Sequence, residues 1–266
     1  MAFFIDPVFI QIGPIAIHYY GLVYAIGLVF LYFFLQKQKN RLHASEDQIT
    51  SFLFFLVIGV LIGGRLGHFL FSQPSIFSTN PLQVFFIWSG GMSFFGGLFG
   101  AIIAGFWYAK RQSLNALRFF DYTVIPISIM LIFGRLANYI NQELVGRVTD
   151  VSWCVEFVTA QGCRHPYQLY AAGSHLLCAI ILVLVFIYAK SFWQKRSGLL
   201  ASMFLGLYGV SRFLTDFYRD DSIVLFGLTI WQLISLIIIG LSAIFIRKSL
   251  HKHNTKHNTK HNTKHR

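Results

Sequence analysis

Several charged side chains lie inside stretches of this sequence that are otherwise apolar, and four of them are the residues best placed to do chemistry. They are Arg65, Arg135, Arg212 and Asp216. A charged side chain in the middle of a bilayer costs about 2.5–3.5 kcal/mol on insertion scales, so each is a functional candidate. Arginine binds phosphate through a planar, bidentate fork and keeps its charge. The three arginines predict an anion site. An Arg212–Asp216 pair that only holds helices together is the alternative for those two.

Seven apolar stretches hold these residues. The chain has 266 residues, of which 55% are hydrophobic and 12% charged, whereas soluble domains have about 25% charged residues. This composition excludes an ordinary soluble enzyme. Each stretch is close to the ~20 residues that cross a bilayer as a helix. We predict an all-α polytopic membrane protein with seven transmembrane helices, at residues 16–36, 51–72, 84–108, 119–140, 168–189, 198–218 and 226–246.

The basic residues predict the orientation of these helices. Sixteen of the 22 lysines and arginines lie in the loops after the first, third and fifth stretches and in the C-terminal tail. The opposite side has only Arg147, Arg164 and Arg219. Because cytoplasmic loops are enriched in lysine and arginine, the N-terminus is predicted to be periplasmic and the C-terminus cytoplasmic. The net charge of +12 then follows from topology, and no nucleic acid partner is expected.

The same topology places the candidate residues at one depth. Arg65, Arg135 and Arg212 all fall in the outer third of their predicted helices, and Tyr20 lies at that level in the first helix. Arginines from three helices that converge in the outer leaflet suit a bound anion, and the natural anion at that depth is a phospholipid head group. An anion transporter or channel is the alternative that the arginines alone allow.

Residues 134–146 contain the most specific motif in the chain, Gly-Arg-Leu-Ala-Asn-Tyr-Ile-Asn-Gln-Glu-Leu-Val-Gly. The motif resembles the diagnostic motif of the bacterial prolipoprotein diacylglyceryl transferase family. The resemblance extends over nearly the whole chain, in the expected order. The other matching segments are His18–Gly21, Gly63–Arg65, Gly90–Ser93, His165–Tyr170, Tyr208–Arg219, and Gln232 with Ser235.

The resemblance implies a reaction and a set of site residues. Members of the family move the diacylglyceryl group of phosphatidylglycerol onto the lipobox cysteine of a pre-prolipoprotein, at the bacterial inner membrane. They form a thioether, release glycerol 1-phosphate and need no metal or cofactor. By the same resemblance, the catalytic residues are Arg135, Arg212, Tyr20 and Glu143, and the residues that bind phosphatidylglycerol are Arg135, Asn138, Arg212, Tyr208 and Gly146.

One residue departs from the family pattern at an important position. Family members commonly have histidine where this chain has Phe95, and phenylalanine cannot accept the proton of the substrate thiol. Either that histidine is not an obligatory base, or another residue replaces it, or this chain turns over poorly. His68, three residues after Arg65, is the predicted substitute base, with a packing role as the alternative.

The loop between the fourth and fifth helices, about residues 141–167, is long and polar enough to form a small periplasmic head over the site. A substrate peptide is hypothesised to dock there. The loop contains Cys154 and Cys163, and an oxidising compartment allows either a disulfide or two free thiols. Cys178 lies inside the fifth helix and is expected to pack as a small apolar residue.

Residues 1–250 are thus predicted to form a membrane catalytic domain. Glycines recur every fourth residue at 59, 63 and 67, and again at 96 and 100, a spacing that lets two helices approach closely. Residues 251–266, which repeat His-Asn-Thr-Lys three times from His253 to Lys264, are predicted to be a disordered basic tail. Weak metal or lipid-surface binding by this tail is the alternative.

Overall fold

The computed structural model describes residues 5–13, 15–86 and 91–262, and most of them are helical. The helices are α1 Tyr19–Lys37, α2 Lys39–Leu42, α3 Glu46–Ser72, α4 Ile76–Thr79, α5 Phe94–Arg111, α6 Ala116–Ile140, α7 Tyr167–Tyr188, α8 Lys190–Trp193, α9 Leu199–Thr215 and α10 Ile230–Asn262. Short 3-10 helices cover Pro81–Phe85 and Asp216–Tyr218. Antiparallel hairpins pair β1 Val8–Ile12 with β2 Ile15–His18, β3 Val155–Glu156 with β4 Cys163–Arg164, and β5 Ile223–Leu225 with β6 Leu228–Thr229.

Within the described residues, five helices are long and apolar enough to cross a membrane: α1, α3, α6, α7 and α10. This finding confirms a helical, polytopic membrane protein. The third and sixth predicted stretches correspond to α5 and α9, which have 18 and 17 residues. The full count of seven spans and their orientation stay predictions.

The third predicted stretch begins too early. We expected a helix from residue 84, but α5 begins at Phe94. Arg65 donates hydrogen bonds to the carbonyl groups of Gln83, Val84, Phe86 and Gly91, so this segment is held by a side chain of α3. Ser93 then caps α5 by accepting a hydrogen bond from the amide of Gly96. Gly90, part of the predicted third-helix motif, lies outside the described residues.

The chain divides into two compact units. The first is Tyr32–Phe119, and the second combines Met1–Leu31 with Phe120–Arg266. In the first unit, α3 and α5 cross at the predicted glycines. A Cβ atom at Gly63 would lie 2.3 Å from the carbonyl oxygen of Gly96, and one at Gly59 would lie 2.4 Å from that of Gly100. Because the opposing atoms belong to backbone, no larger residue fits, and the predicted close helix approach is confirmed.

The second unit packs α9 against α7 and α10. The N-terminus of α9 is held by a residue of another helix. The Asp121 carboxylate on α6 accepts hydrogen bonds from the amides of Gly198 (2.6 Å) and Ala201 (3.0 Å) at the first turn of α9. An acidic group at a helix N-terminus satisfies amides that have no intrahelical partner. On α1, Gly27 faces the Met130 side chain of α6, so α1 and α6 are neighbours at that point.

The backbone of α10 continues to Asn262, beyond the predicted domain limit at residue 250. Residues 263–266 lie outside the described part of the chain. The predicted disorder of the 251–266 repeat stays a prediction.

Candidate active site

Arg135 lies near the end of α6 and is only 9% exposed. Its Nε donates to Nε2 of His175 at 3.4 Å. Within residues 5–13, 15–86 and 91–262, its two terminal nitrogens make no hydrogen bond and no ion pair. A buried charge is normally paired, so the two terminal nitrogens of Arg135 are candidates for binding an anion.

His175, on α7, was not singled out by the sequence, although a histidine inside an apolar helix is itself a signal of function. It is 3% exposed, and its ring stacks on Tyr208 with centroids 5.5 Å apart. Its Nδ1 lies 3.5 Å from the Ser211 hydroxyl, which in turn lies 2.6 Å from the Ser174 hydroxyl. The imidazole is therefore held on two sides by α9 and contacts Arg135 on a third.

Arg212, on α9, is compensated inside the protein. Its Nε lies 3.0 Å from Oδ2 of Asp216, so the ion pair considered for these residues is present. Arg212 Nη1 also donates to the Tyr167 hydroxyl (3.2 Å), and that hydroxyl donates to Asp216 Oδ1 (2.8 Å). Tyr167 is fully buried and was likewise missed, because its partners come from another helix.

Arg135 and Arg212 act electrostatically on the same groups, His175 and Tyr167. Two of the three predicted arginines thus share one set of neighbours. Arg65 belongs to the other unit, and all three of its guanidinium nitrogens donate to backbone carbonyls at 2.8–3.3 Å. Its guanidinium also lies over the Phe69 ring. Arg65 therefore stabilises the loop before α5.

Two asparagines of the motif bind the Glu143 carboxylate. Asn138 donates to Oε2 and Asn141 to Oε1, each at 3.2 Å, and Gln168 donates to the Glu143 carbonyl oxygen at 2.6 Å. Leu144 adopts a left-handed φ of 55°, so the chain turns sharply beyond the end of α6. The predicted site residues Asn138 and Glu143 are thus brought together by one turn.

Tyr20, on α1, accepts a hydrogen bond from the Tyr24 hydroxyl at 3.1 Å, one helical turn later. Arg135 and Glu143 both act electrostatically on Tyr24. The predicted site residue Tyr20 is therefore linked through Tyr24 to Arg135 and Glu143.

Gly146 lies where three chain segments meet. A Cβ atom there would lie 2.3 Å from the carbonyl oxygen of His165 and 2.9 Å from that of Tyr218, so only glycine fits. Its own carbonyl oxygen accepts from Arg164 Nη1 at 3.1 Å, and Arg164 also pairs with Asp220 at 2.6 Å. Close packing against these two backbone carbonyl groups therefore explains why residue 146 is glycine.

Another ion pair, on either side of Asp220 in the sequence, joins Arg219 and Asp221, which lie 3.2 Å apart. Burial raises the pKa of the Asp221 carboxyl above its ordinary value, and the neighbouring Arg219 opposes that rise. Burial likewise lowers the pKa of Arg219. The ion pairs Arg164–Asp220 and Arg219–Asp221 thus place two carboxylates beside two guanidinium groups.

The 141–167 loop is ordered around a disulfide between Cys154 and Cys163, which answers the question that the sequence left open. The bond closes the β3–β4 hairpin. Gln142 supports the same hairpin, because its side-chain oxygen accepts from the amide of Val158 at 2.6 Å and its carbonyl oxygen accepts from the Thr159 hydroxyl at 2.8 Å.

Phe95 and His68 both lie in the Tyr32–Phe119 unit. Phe95 is buried, and its ring packs edge-on against Phe94. A Cβ atom at Gly91 would lie 2.4 Å from His68 Nε2, so the imidazole covers the loop that Arg65 binds. The His68 ring also packs against Phe69. These contacts are those of a packing residue, and a role as base stays a prediction.

Comparison with known proteins identifies the family. The sequence model for prolipoprotein diacylglyceryl transferase matches residues 7–247. A phosphatidylglycerol–prolipoprotein diacylglyceryl transferase of Bordetella parapertussis is 39% identical over 221 residues, which cover 81% of this chain and 83% of the relative. Enzymes of the same name are similar at 39% in Geobacter sulfurreducens (81% and 83% covered) and at 37% in Photobacterium profundum (84% of each chain). The chain therefore belongs to the prolipoprotein diacylglyceryl transferase family.

Proposed function

We propose that this protein transfers the diacylglyceryl group of phosphatidylglycerol to the lipobox cysteine thiol of pre-prolipoproteins. The thiolate sulfur attacks the glycerol carbon, the carbon–oxygen bond to phosphate breaks, and its electron pair stays on the departing glycerol 1-phosphate. The names of the relatives support the activity. The observation that supports the site is the buried Arg135 guanidinium, whose terminal nitrogens have no partner among the described residues.

In this proposal Arg135 binds the lipid phosphate. Negative charge grows on the phosphate oxygen as the bond breaks, and preorganised cations in a water-poor site stabilise such growth most effectively. Arg212 assists from its pair with Asp216, and Tyr208 supports the arrangement by stacking on His175. Tyr20 lines the lipid side, while Asn138, Glu143 and Gly146 shape the turn beyond α6.

Two buried amide oxygens support the glycerol head group as the ligand beside this phosphate. Asn141 Oδ1 and Gln168 Oε1 accept no hydrogen bond from any described residue. Both side chains contact Glu143, Asn141 through its carboxylate and Gln168 through its carbonyl. Glycerol carries hydroxyl donors, which satisfy acceptors of this kind.

The membrane setting is part of the proposal. We propose that α5 and α9 also cross the bilayer, which gives seven spans, a periplasmic N-terminus, a cytoplasmic C-terminus and residence in the bacterial inner membrane. The 141–167 segment then forms the periplasmic head, where its disulfide suits an oxidising compartment. Phosphatidylglycerol enters from the bilayer, and the pre-prolipoprotein presents its cysteine from the same leaflet.

A transfer assay tests the activity. Purified protein is mixed with phosphatidylglycerol vesicles and a lipobox peptide, with a Cys→Ser peptide as control. We expect a mass gain of one diacylglyceryl group on the cysteine peptide alone, together with released glycerol 1-phosphate. Lipid and peptide binding without product would contradict the proposal and indicate a member impaired by Phe95. His68→Phe tests the substitute base, because full activity in this variant would eliminate His68 from that role.

A further inference from the structure

His175 is a buried imidazole to which neither the sequence motifs nor the proposed reaction assigns a task. We propose that neutral His175 is a positioning residue that holds the Nε edge of Arg135 and so presents the two terminal nitrogens of that arginine to the lipid phosphate. This inference rests on the proposed function, and it concerns how Arg135 is prepared to bind.

The donor inventory determines the protonation state. A guanidinium has only donors, so the Arg135 Nε–His175 Nε2 contact at 3.4 Å requires an unprotonated Nε2. The proton of the neutral ring is then on Nδ1, which faces the Ser211 hydroxyl at 3.5 Å. Ser211 continues to Ser174 at 2.6 Å. Every contact of the ring is thus consistent with one tautomer.

The charged neighbours favour the same state. The groups that face the ring are Arg135 from α6 and Arg212 and Tyr208 from α9, and the two arginines both repel an added positive charge. An imidazolium would also have no lone pair for Arg135. The contact with Arg135 therefore exists only while His175 is neutral.

The planar geometry of the guanidinium explains why the contact with His175 favours phosphate binding. A guanidinium binds an oxyanion best through two parallel N–H donors. When its Nε is engaged by His175, the edge formed by the two terminal nitrogens is the one left for phosphate, and within the described residues those nitrogens have no partner. Fixing a long side chain before binding removes part of its ordering cost.

The same contact argues against His175 as the general base. Its Nε2 lone pair is directed at Arg135, and its Nδ1 faces Ser211. Neither nitrogen is open to a substrate thiol while these contacts hold. A base and a positioning residue also respond differently to substitution, which makes the two roles separable.

Two variants of His175 distinguish the positioning role from the role of a base. His175→Gln replaces Nε2 with an amide oxygen that can still accept from Arg135 but cannot act as a base, whereas His175→Leu removes the acceptor. We expect His175→Gln to keep kcat/KM within about fivefold of wild type. His175→Leu should lose about 10- to 100-fold, mainly as a higher KM for phosphatidylglycerol, since misplacing a binding group by about 1 Å costs up to about 100-fold.

Thermal unfolding of both variants tests whether they keep the fold. His43→Gln is the matched control for losing an imidazole, because His43 is the exposed residue that caps the C-terminus of α2. Equal losses in the glutamine and leucine variants would overturn the positioning role and favour a base. Wild-type rates in His175→Leu would also overturn it. Absence of product from wild type and His43→Gln alike would instead refute the proposed function.

A spectroscopic readout is independent of turnover. The protein is labelled with 15N-histidine, and the His175 signals are assigned by their loss in His175→Gln. We expect one protonated and one unprotonated ring nitrogen at neutral pH. Two protonated nitrogens would mean an imidazolium, which cannot accept from Arg135, and the inference would be wrong.

Discussion

Replacing Arg65 or Arg135 with methionine, which keeps much of the side-chain volume, distinguishes a structural arginine from a ligand-binding one. Arg65 is 2% exposed and donates four hydrogen bonds to loop carbonyls. Hydrogen bonds to charged groups contribute about 1.5–3 kcal/mol each, and relaxation of the loop lets other donors satisfy some of the freed carbonyl groups, so the total loss is close to that of two such bonds, roughly 3–5 kcal/mol. We therefore expect Arg65→Met to lower the free energy of unfolding by about 3–5 kcal/mol.

Arg135 should behave in the opposite way. It makes one weak hydrogen bond at 3.4 Å and no ion pair with any described residue, so methionine removes a buried charge that little compensates. The free energy of unfolding should stay unchanged or rise. Transfer should fall by about 100- to 1,000-fold, which is the usual effect of losing one preorganised donor to a developing anion.

Both quantities can be measured on the same preparations. Thermal unfolding in detergent micelles gives the stability, and the lipobox-peptide assay gives kcat/KM. The expected outcome is an unstable Arg65→Met and a stable but inactive Arg135→Met. If Arg135→Met were destabilised as much as Arg65→Met, or if it turned over normally, the assignment of Arg135 to the phosphate would be refuted.

Three further changes test other parts of the structure. Gly146→Ala should cost about 1–3 kcal/mol by overpacking against the His165 and Tyr218 carbonyls, whereas Gly173→Ala, with nothing within 4 Å of its added methyl, should not change thermal unfolding. Removing the disulfide through Cys154→Ser with Cys163→Ser should destabilise the 141–167 segment by roughly 2–3 kcal/mol, as expected for a loop of about ten residues, and hydrogen exchange in the β3–β4 hairpin would show it. Tyr167→Phe should cost about 1–3 kcal/mol, because Asp216 loses a buried donor; an unchanged melting temperature would contradict this.

The sequence predicted the parts of the site that lie on one short segment. Arg135, Asn138 and Glu143 are close along the chain, so the end of one helix and the turn after it bring them together. His175 and Tyr167 reach Arg135 and Arg212 from a different helix. A membrane helix is apolar toward lipid and toward protein alike, so hydropathy does not reveal which face meets a neighbour.

The sequence placed Arg65 inside an apolar stretch, but it did not show which groups accept hydrogen bonds from the Arg65 guanidinium. The apolar segment before α5 looked helical, since composition alone does not show that its carbonyls are taken by a side chain. The glycine spacing succeeded for the opposite reason. Close backbone contact between α3 and α5 excludes side chains, and that requirement is visible in the residues themselves.

The difference between the two arginines of the site matches the charge change in the proposed reaction. A phosphodiester carries one negative charge, and among the described residues Arg135 is the cation without a carboxylate partner there, whereas Arg212 is paired with Asp216. Binding the lipid thus neutralises one charge with one charge. The departing phosphomonoester carries about 1.5–2 negative charges at neutral pH, which exceeds what Arg135 alone compensates. We propose that Arg212 meets the surplus, and Tyr167 can keep Asp216 hydrogen-bonded when Arg212 turns toward the phosphate. In this proposal Arg135 governs binding of the lipid, and Arg212 acts as the carbon–oxygen bond breaks.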